Sequence, residues 1–225
     1  MPTRFCLEIG GDLACFTRPE MKVERVSYDI VTPSAVRAVF ESILWKPAIH
    51  WQAEEIEVLA PIRWTTIRRN EVGSKVSLTN VKSAMQKGSG AIALYVEEER
   101  QQRASLLLRD VRYRITASFS RTGRAGAEDN AQKFGEMFAR RAAKGQCINQ
   151  PYLGCREFAC DFRLVEQGEA AAAIPEELRG ERDLGWMLYD LDFQDTASPQ
   201  PLFYHARMTD GVVKIPSWDS CEVRG

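Results

Sequence analysis

Apolar and polar positions along the chain follow two periods, and the switches between them mark the predicted elements. Residues 26–47, VSYDIVTPSAVRAVFESILWKP, carry the clearest switch. A short strand runs into Thr32, whose hydroxyl suits an N-cap, and Pro33 at the first helical position forfeits no hydrogen bond. Val36, Val39, Phe40 and Ile43 then recur at helical spacing, with Arg37 and Glu41 as an i,i+4 pair on the other side. Pro47 biases Lys46 away from the helical region and ends the run. One face of this helix must therefore cover a sheet.

The two-residue period predicts the strands of that sheet. Residues 4–10 alternate through Phe5, Leu7 and Ile9 and meet a turn at Gly10-Gly11-Asp12. Residues 49–62 alternate through Ile56, Val58 and Ala60, weakened at the far end by Pro61. Residues 63–89 are polar, basic and punctuated by glycine, which predicts a long loop or mobile hairpin. Strands follow at 91–96 and 106–119; in the second, Val111, Tyr113, Ile115 and Ala117 share one face and Arg112 and Arg114 the other. A helix over 127–144 has Phe134, Met137 and Phe138 at helical spacing, Asp129 near its start, and Arg140, Arg141 and Lys144 near its end before Gly145. Phe158, Cys160 and Phe162 alternate within a strand placed at 147–164.

The order strand, helix, strand, strand, helix, strand is that of the ferredoxin-like split βαβ unit, which is also the RRM topology. Residues 167–180 read as a connector with a short helix, and segments 184–193, 201–208 and 212–215, the last two joined at Asp210-Gly211, as a small antiparallel sheet. The predicted fold is α+β: a ferredoxin-like (RRM-like) domain over 1–166 and a small C-terminal antiparallel β-sheet module over 167–225.

Composition narrows the class. No apolar run approaches the ~20 residues of a membrane span, and the N-terminal MPTRFCLEIGG lacks the apolar core of a secretory signal, so the expected location is the cytoplasm. The six cysteines contain no CxxC pair and there are two histidines, which leaves a structural zinc site without support; no metal or other cofactor is expected. The net charge of −1 hides an asymmetry, because residues 1–165 carry 25 Lys and Arg against 19 Asp and Glu, and residues 166–225 carry 5 against 12. A basic first part suggests a polyanionic partner.

GxSxG and GxxxxGK strings are absent, as is an RNP-like aromatic string. Trp64 beside Arg63, Arg68 and Arg69 could serve as an aromatic platform in a basic patch, or be a solvated loop. His50 and His205 are the only side chains whose ordinary pKa lies near neutrality, and neither belongs to a recognisable triad. Lys46, at the exit of the first helix, and Lys133, on the second, come from elements on one face of the sheet and could stabilise a phosphorane-like transition state.

The strings GDLACFTRPEMKVERVSYDIVTPSAVRAVFESILWKPAI, RRNEVGSK, AGAEDNAQK, LGCREF and DLGWMLYDLDF resemble, in order, the CRISPR-associated Cas five family, d (Dvulg) subtype, of type I-C systems. That resemblance implies a ferredoxin-like domain followed by a small sheet. It further implies a metal-independent endoribonuclease that cuts the CRISPR repeat transcript at the base of its stem-loop and stays on the 5′ handle of the crRNA. Implied partners are the backbone and large subunits of the Cascade surveillance complex, with target DNA reached only through that complex and no membrane contact. The family's cleavage groups are a tyrosine just before Trp-Lys-Pro and a Lys-His pair on the second helix. Here the lysine matches Lys133, whereas Leu44 and Phe134 hold the tyrosine and histidine positions. Neither can transfer a proton, so Tyr28, His50 and Lys46 are the substitutes expected to work with Lys133. Arg68, Arg69, Lys75, Arg109 and Arg156 are the expected RNA backbone contacts. A non-catalytic subunit that binds the 5′ handle and assembles the complex is the alternative reading.

Overall fold

The computed structural model describes residues 3–90, 92–166 and 168–225. Its elements are β1 (Thr3–Ala14), α1 (Pro33–Ile43), β2 (Ile49–Val58), β3 (Arg63–Val72), α2 (Leu78–Lys87), β4 (Arg100–Arg121), α3 (Ala131–Ala143), β5 (Asp161–Leu164), a 3-10 turn (Glu176–Leu178), β6 (Glu181–Asp192), β7 (Gln200–Thr209) and β8 (Val212–Lys214). The strands form one sheet in the order β5-β1-β4-β2-β8-β7-β6, with β3 pairing off this path to β4. The pairings are antiparallel throughout. The protein is thus α+β.

α1 begins as the sequence dictates. The Thr32 hydroxyl accepts the Ala35 N–H at 3.3 Å, and Val36, Val39, Phe40 and Ile43 are buried. α3 starts under a cap from Asn130, whose Oδ1 accepts the Lys133 N–H at 2.8 Å, and it buries Phe134, Phe138 and Ala142. The two helices share one aromatic core with the sheet. Trp51 of β2 lies 5.0 Å from the Phe40 ring and 4.7 Å from that of Phe138, with Phe5 and Phe119 at 6.1 and 5.0 Å. Burying each such ring contributes about 1.5–3 kcal/mol.

Several expectations are corrected. Residues 63–89 form β3 and α2 where a loop was expected. β3 is held by pairing along the first half of β4, from Arg63 opposite Arg109 to Val72 opposite Arg100. α2 is capped by Ser77 and ended by Gly88 at φ +60°, and buries none of its residues, so it has no core stripe to betray it. Residues 92–96 form no strand, and Ala91 lies outside the described residues. Residues 26–31 make isolated bridges, Thr17 to Ser27 and Val26 to Leu106, in place of a strand. The Gly10-Gly11-Asp12 turn lies inside β1, where glycine is needed because a Cβ on Gly10 would come 2.9 Å from the Val111 carbonyl. Within 147–164 only the last four residues pair as a strand; Phe158 and Cys160 are buried from an irregular segment. The C-terminal strands continue the same sheet through β8, which pairs with β2.

Arg112 and Arg114, on the face of β4 opposite the core, meet carboxylates. Glu8 receives hydrogen bonds from Arg112 and, at 2.5 Å, from Arg163, while Arg114 reaches Glu169 at 3.3 Å and the Ala170 carbonyl at 3.2 Å. Burial alone would push the Glu8 carboxyl up, but the hydrogen bonds and charges of Arg112 and Arg163 hold it below its ordinary value of 4.5. A depressed folded-state pKa contributes stability that is present above the unfolded value and lost as pH falls through the folded one. Glu8→Gln should therefore be less stable than the parent at pH 7, with the gap closing below about pH 4; urea midpoints across pH 3–7 check this.

Candidate nucleic-acid interface

The turn from α1 into β2 is fixed carbonyl by carbonyl. Arg141 of α3 donates to the Ile43 carbonyl at 3.0 Å, and the Trp51 indole N–H donates to that of Leu44 at 2.9 Å. The Ile49 N–H takes the Lys46 carbonyl at 3.1 Å. Thr122 serves the next two, with its hydroxyl on Pro47 at 2.6 Å and its N–H on Ala48 at 2.9 Å. With these carbonyls engaged, the side chains of Trp45 and Lys46 are turned outward, and the Trp45 ring is 54% exposed.

Lys133 pairs with a carboxylate on which the charge of Lys46 also acts. The Lys133 ammonium lies 3.1 Å from Asp129 Oδ1, one helical turn earlier. The Gly126 N–H, then Lys133, then the charge of Lys46 hold the Asp129 carboxyl below its usual range. Arg121 donates to the Asp129 carbonyl at 3.0 Å, so a further cation stands at this edge. The exposed Lys133–Asp129 pair is weak, and a phosphodiester can displace it.

Beside it, Trp45, Tyr152, Asn149, Gln150 and Arg156 line a cavity of about 600 Å³ against the last turn of α1. Arg156 is exposed there. Exposed aromatic rings beside a guanidinium offer both a stacking surface and a phosphate contact. Trp45 and Tyr152 were not anticipated by sequence reasoning, because a lone aromatic in a polar string carries no periodicity; the turn that throws Trp45 outward is visible only in three dimensions.

The other expected residues are scattered. Leu44 and Phe134 are 0% and 3% exposed, buried in the aromatic core, so neither reaches a bound substrate. Tyr28 is 1% exposed and covered by the Arg18 guanidinium at 4.5 Å; burial pushes its hydroxyl pKa up. His50 is exposed on β2 opposite Ser120, four residues beyond Lys46, in a cavity of about 310 Å³ shared with Arg37, Trp218 and Asp219. On β3, Arg68 shares the open face with Trp64, whereas Arg69 alternates to the other face and pairs with Glu157 at 2.6 Å and Glu71 at 3.1 Å. Lys75 is exposed beyond the end of β3, and Arg109 is exposed at the base of the β3–β4 arm, 3.8 Å from Asp110. Among the described residues, no group of three or more His, Cys, Asp or Glu side chains converges to hold a metal ion, and no helix is long and apolar enough to cross a membrane.

Comparison with known proteins gives this geometry its family. The family model for CRISPR-associated protein (Cas_Cas5), d subtype, matches residues 5–216. The chain belongs to the Cas5d family. It is 47% identical over 226 residues to the CRISPR pre-crRNA endoribonuclease Cas5d of Mannheimia succiniciproducens, covering 100% of both chains. With the protein of the same name from Thermus thermophilus it shares 38% identity, over 95% of this chain and 92% of that one. Among solved structures, one described as a CRISPR-associated protein superimposes with a TM-score of 0.71 at 20% identity, over 100% of this chain and 97% of that one. A chain from a CRISPR RNA-guided surveillance complex does so with a TM-score of 0.54 at 15% identity, over 96% and 90%. At these identities the structures show a shared fold.

Proposed function

We propose that this Cas5d protein binds the CRISPR repeat transcript and cleaves it without a metal, by attack of a ribose 2′-hydroxyl on the adjacent phosphate, and then remains on the 5′ handle as a Cascade subunit with the backbone and large subunits. The observation that carries this reading is the exposed Lys133 ammonium at the start of α3, 3.1 Å from Asp129, with the charge of Lys46 acting on the same carboxylate, in a chain related at 47% identity to a named pre-crRNA endoribonuclease. The lysines stabilise the charge that grows on the phosphate oxygens as the 2′-oxygen attacks. His50 is the proton-transfer group, since an exposed imidazole can accept the 2′-hydroxyl proton and protonate the departing 5′-oxygen. Arg156, with Trp45 and Tyr152, receives the strand beside the cut; Arg68, Lys75 and Arg109 track the backbone along the arm.

Tyr28 stands outside this arrangement. Tyr28→Phe should leave cleavage within about two-fold of wild type, because the buried hydroxyl does not reach a bound strand; a cleavage assay beside a urea melt that shows the variant is folded checks this.

The unit β1-α1-β2-β4-α3-β5 reads as ferredoxin-like, with residues 167–225 as an appended module. The order β5-β1-β4-β2 and the shared aromatic core beneath α1 and α3 support this. A second reading, a non-catalytic subunit that binds the 5′ handle, is favoured by the burial of Leu44 and Phe134. Incubating the purified protein with a single-repeat RNA in EDTA separates them: two products support cleavage, and intact RNA shifted in a native gel supports the second reading.

A further inference from the structure

The last 60 residues are acidic, yet their cations gather in one place. Of the five Lys and Arg in residues 166–225, Arg207, Lys214 and Arg224 line a single cavity of about 990 Å³, together with His205 and Trp186. Strand alternation puts them there. Tyr204, Ala206 and Met208 of β7 are buried, so His205 and Arg207 point to the open face. Trp186 of β6 lies in register opposite His205, and its ring is 51% exposed, with the imidazole edge-on at 5.6 Å. The C-terminal segment closes one side: the backbone of Arg224 pairs with Phe203 through hydrogen bonds of 2.6 and 2.8 Å, which brings its guanidinium 5.9 Å from the Trp186 ring centre.

Among the described residues, Arg207, Lys214 and Arg224 take part in no ion pair. Of the two carboxylates in the lining, Asp210 is engaged by the Gly180 N–H at 2.8 Å and Glu222 has no cationic partner among the described residues. Three cations free of ion pairs around an exposed indole, against two lining carboxylates, supply what a single strand requires: a flat apolar surface for a base and point charges for the phosphates on either side. The cavity shares no residue with the Lys46–Lys133 edge or the Arg156 groove.

We propose that this cavity is a second nucleic-acid site, which stacks one unpaired base of a single strand on Trp186 and holds the flanking phosphodiesters with Arg207, Lys214 and Arg224. The recognition chemistry, a base face plus phosphates, is common to RNA and DNA, and it does not depend on the cleavage reading.

The test uses the full chain and fluorescein-labelled ten-nucleotide oligouridine and oligothymidine, read by anisotropy at several salt concentrations. Trp186→Ala should weaken binding by about ten-fold or more, and Trp186→Phe, which keeps a ring, should restore most of it. Arg207→Ala with Lys214→Ala should lower the salt slope by roughly 1.4. Preference between the two oligonucleotides names the strand the site serves. Repeated in a Lys46→Ala, Lys133→Ala background, which removes the other phosphate site, Trp186→Ala should cost the same fold in oligonucleotide affinity, so a failure of cleavage and a failure of this site are read separately. Wild-type affinity in Trp186→Ala, no measurable oligonucleotide binding, or equal competition by polyglutamate would overturn the proposal, the last because it marks a site for acidic protein.

Discussion

Lys133→Ala should slow repeat-RNA cleavage by about 10² to 10³, the loss typical of removing one group that stabilises charge developing in the transition state. The Lys133 ammonium is exposed at the first turn of α3, tethered only by Asp129 at 3.1 Å, so its removal leaves the buried core of that helix intact. Single-turnover rates at saturating protein isolate this effect from binding. Lys133→Arg keeps the charge and should retain most of the rate, and Lys46→Ala should add to the defect without unfolding the protein. A wild-type rate in Lys133→Ala would remove this lysine from the chemistry.

Arg37→Ala should be the most destabilising single substitution outside the aromatic core. Arg37 Nε and Nη2 donate to the two carboxylate oxygens of Asp190 at 2.6 and 2.9 Å, and Nη1 donates to Glu41 at 2.8 Å. This fork ties α1 to β6, and Asp190 is nearly buried, with its side chain 10% exposed. Truncating the arginine strands that carboxylate, at a cost of about 3–5 kcal/mol. For a chain of this size that corresponds to a fall in melting temperature of roughly 10 °C. Arg37→Met combined with Asp190→Leu should recover much of the loss, because the penalty lies in the unpaired charge. Equal stability of the single and double variants would place the contribution elsewhere.

The sequence made some parts of this molecule readable and left others hidden. α1 was legible because its cap and its stripe agree, and the structure repeats them in Thr32 and Val36 to Ile43; the helix ends at Ile43, with Leu44 already extended, ahead of Pro47. The β7–β8 hairpin was legible from Asp210-Gly211, which stands at positive φ in the turn. β3 was not, because a strand on an arm with polar residues on both faces has no apolar alternation, and its partners lie 28 (Val72 to Arg100) to 46 (Arg63 to Arg109) residues downstream. Of the interface, Lys46 and Lys133 are readable from their helices alone, and the structure adds the Asp129 that pairs with Lys133. Arg69 was drawn from the same basic string as Arg68, yet one residue of strand register turns it onto Glu157 and Glu71. The packing of Tyr28 beside Leu188, 160 residues away, left no trace in local pattern.

Cleavage by 2′-hydroxyl attack makes one requirement that no binding protein shares. The decisive measurement compares two single-repeat RNAs in EDTA, one all-ribose and one with a single 2′-deoxy at the cut. The mechanism requires two products from the first, the upstream one ending in a 2′,3′-cyclic phosphate, and none from the second with its affinity unchanged. Cleavage of the deoxy-substituted RNA, or an all-ribose RNA bound but never cut, would contradict it.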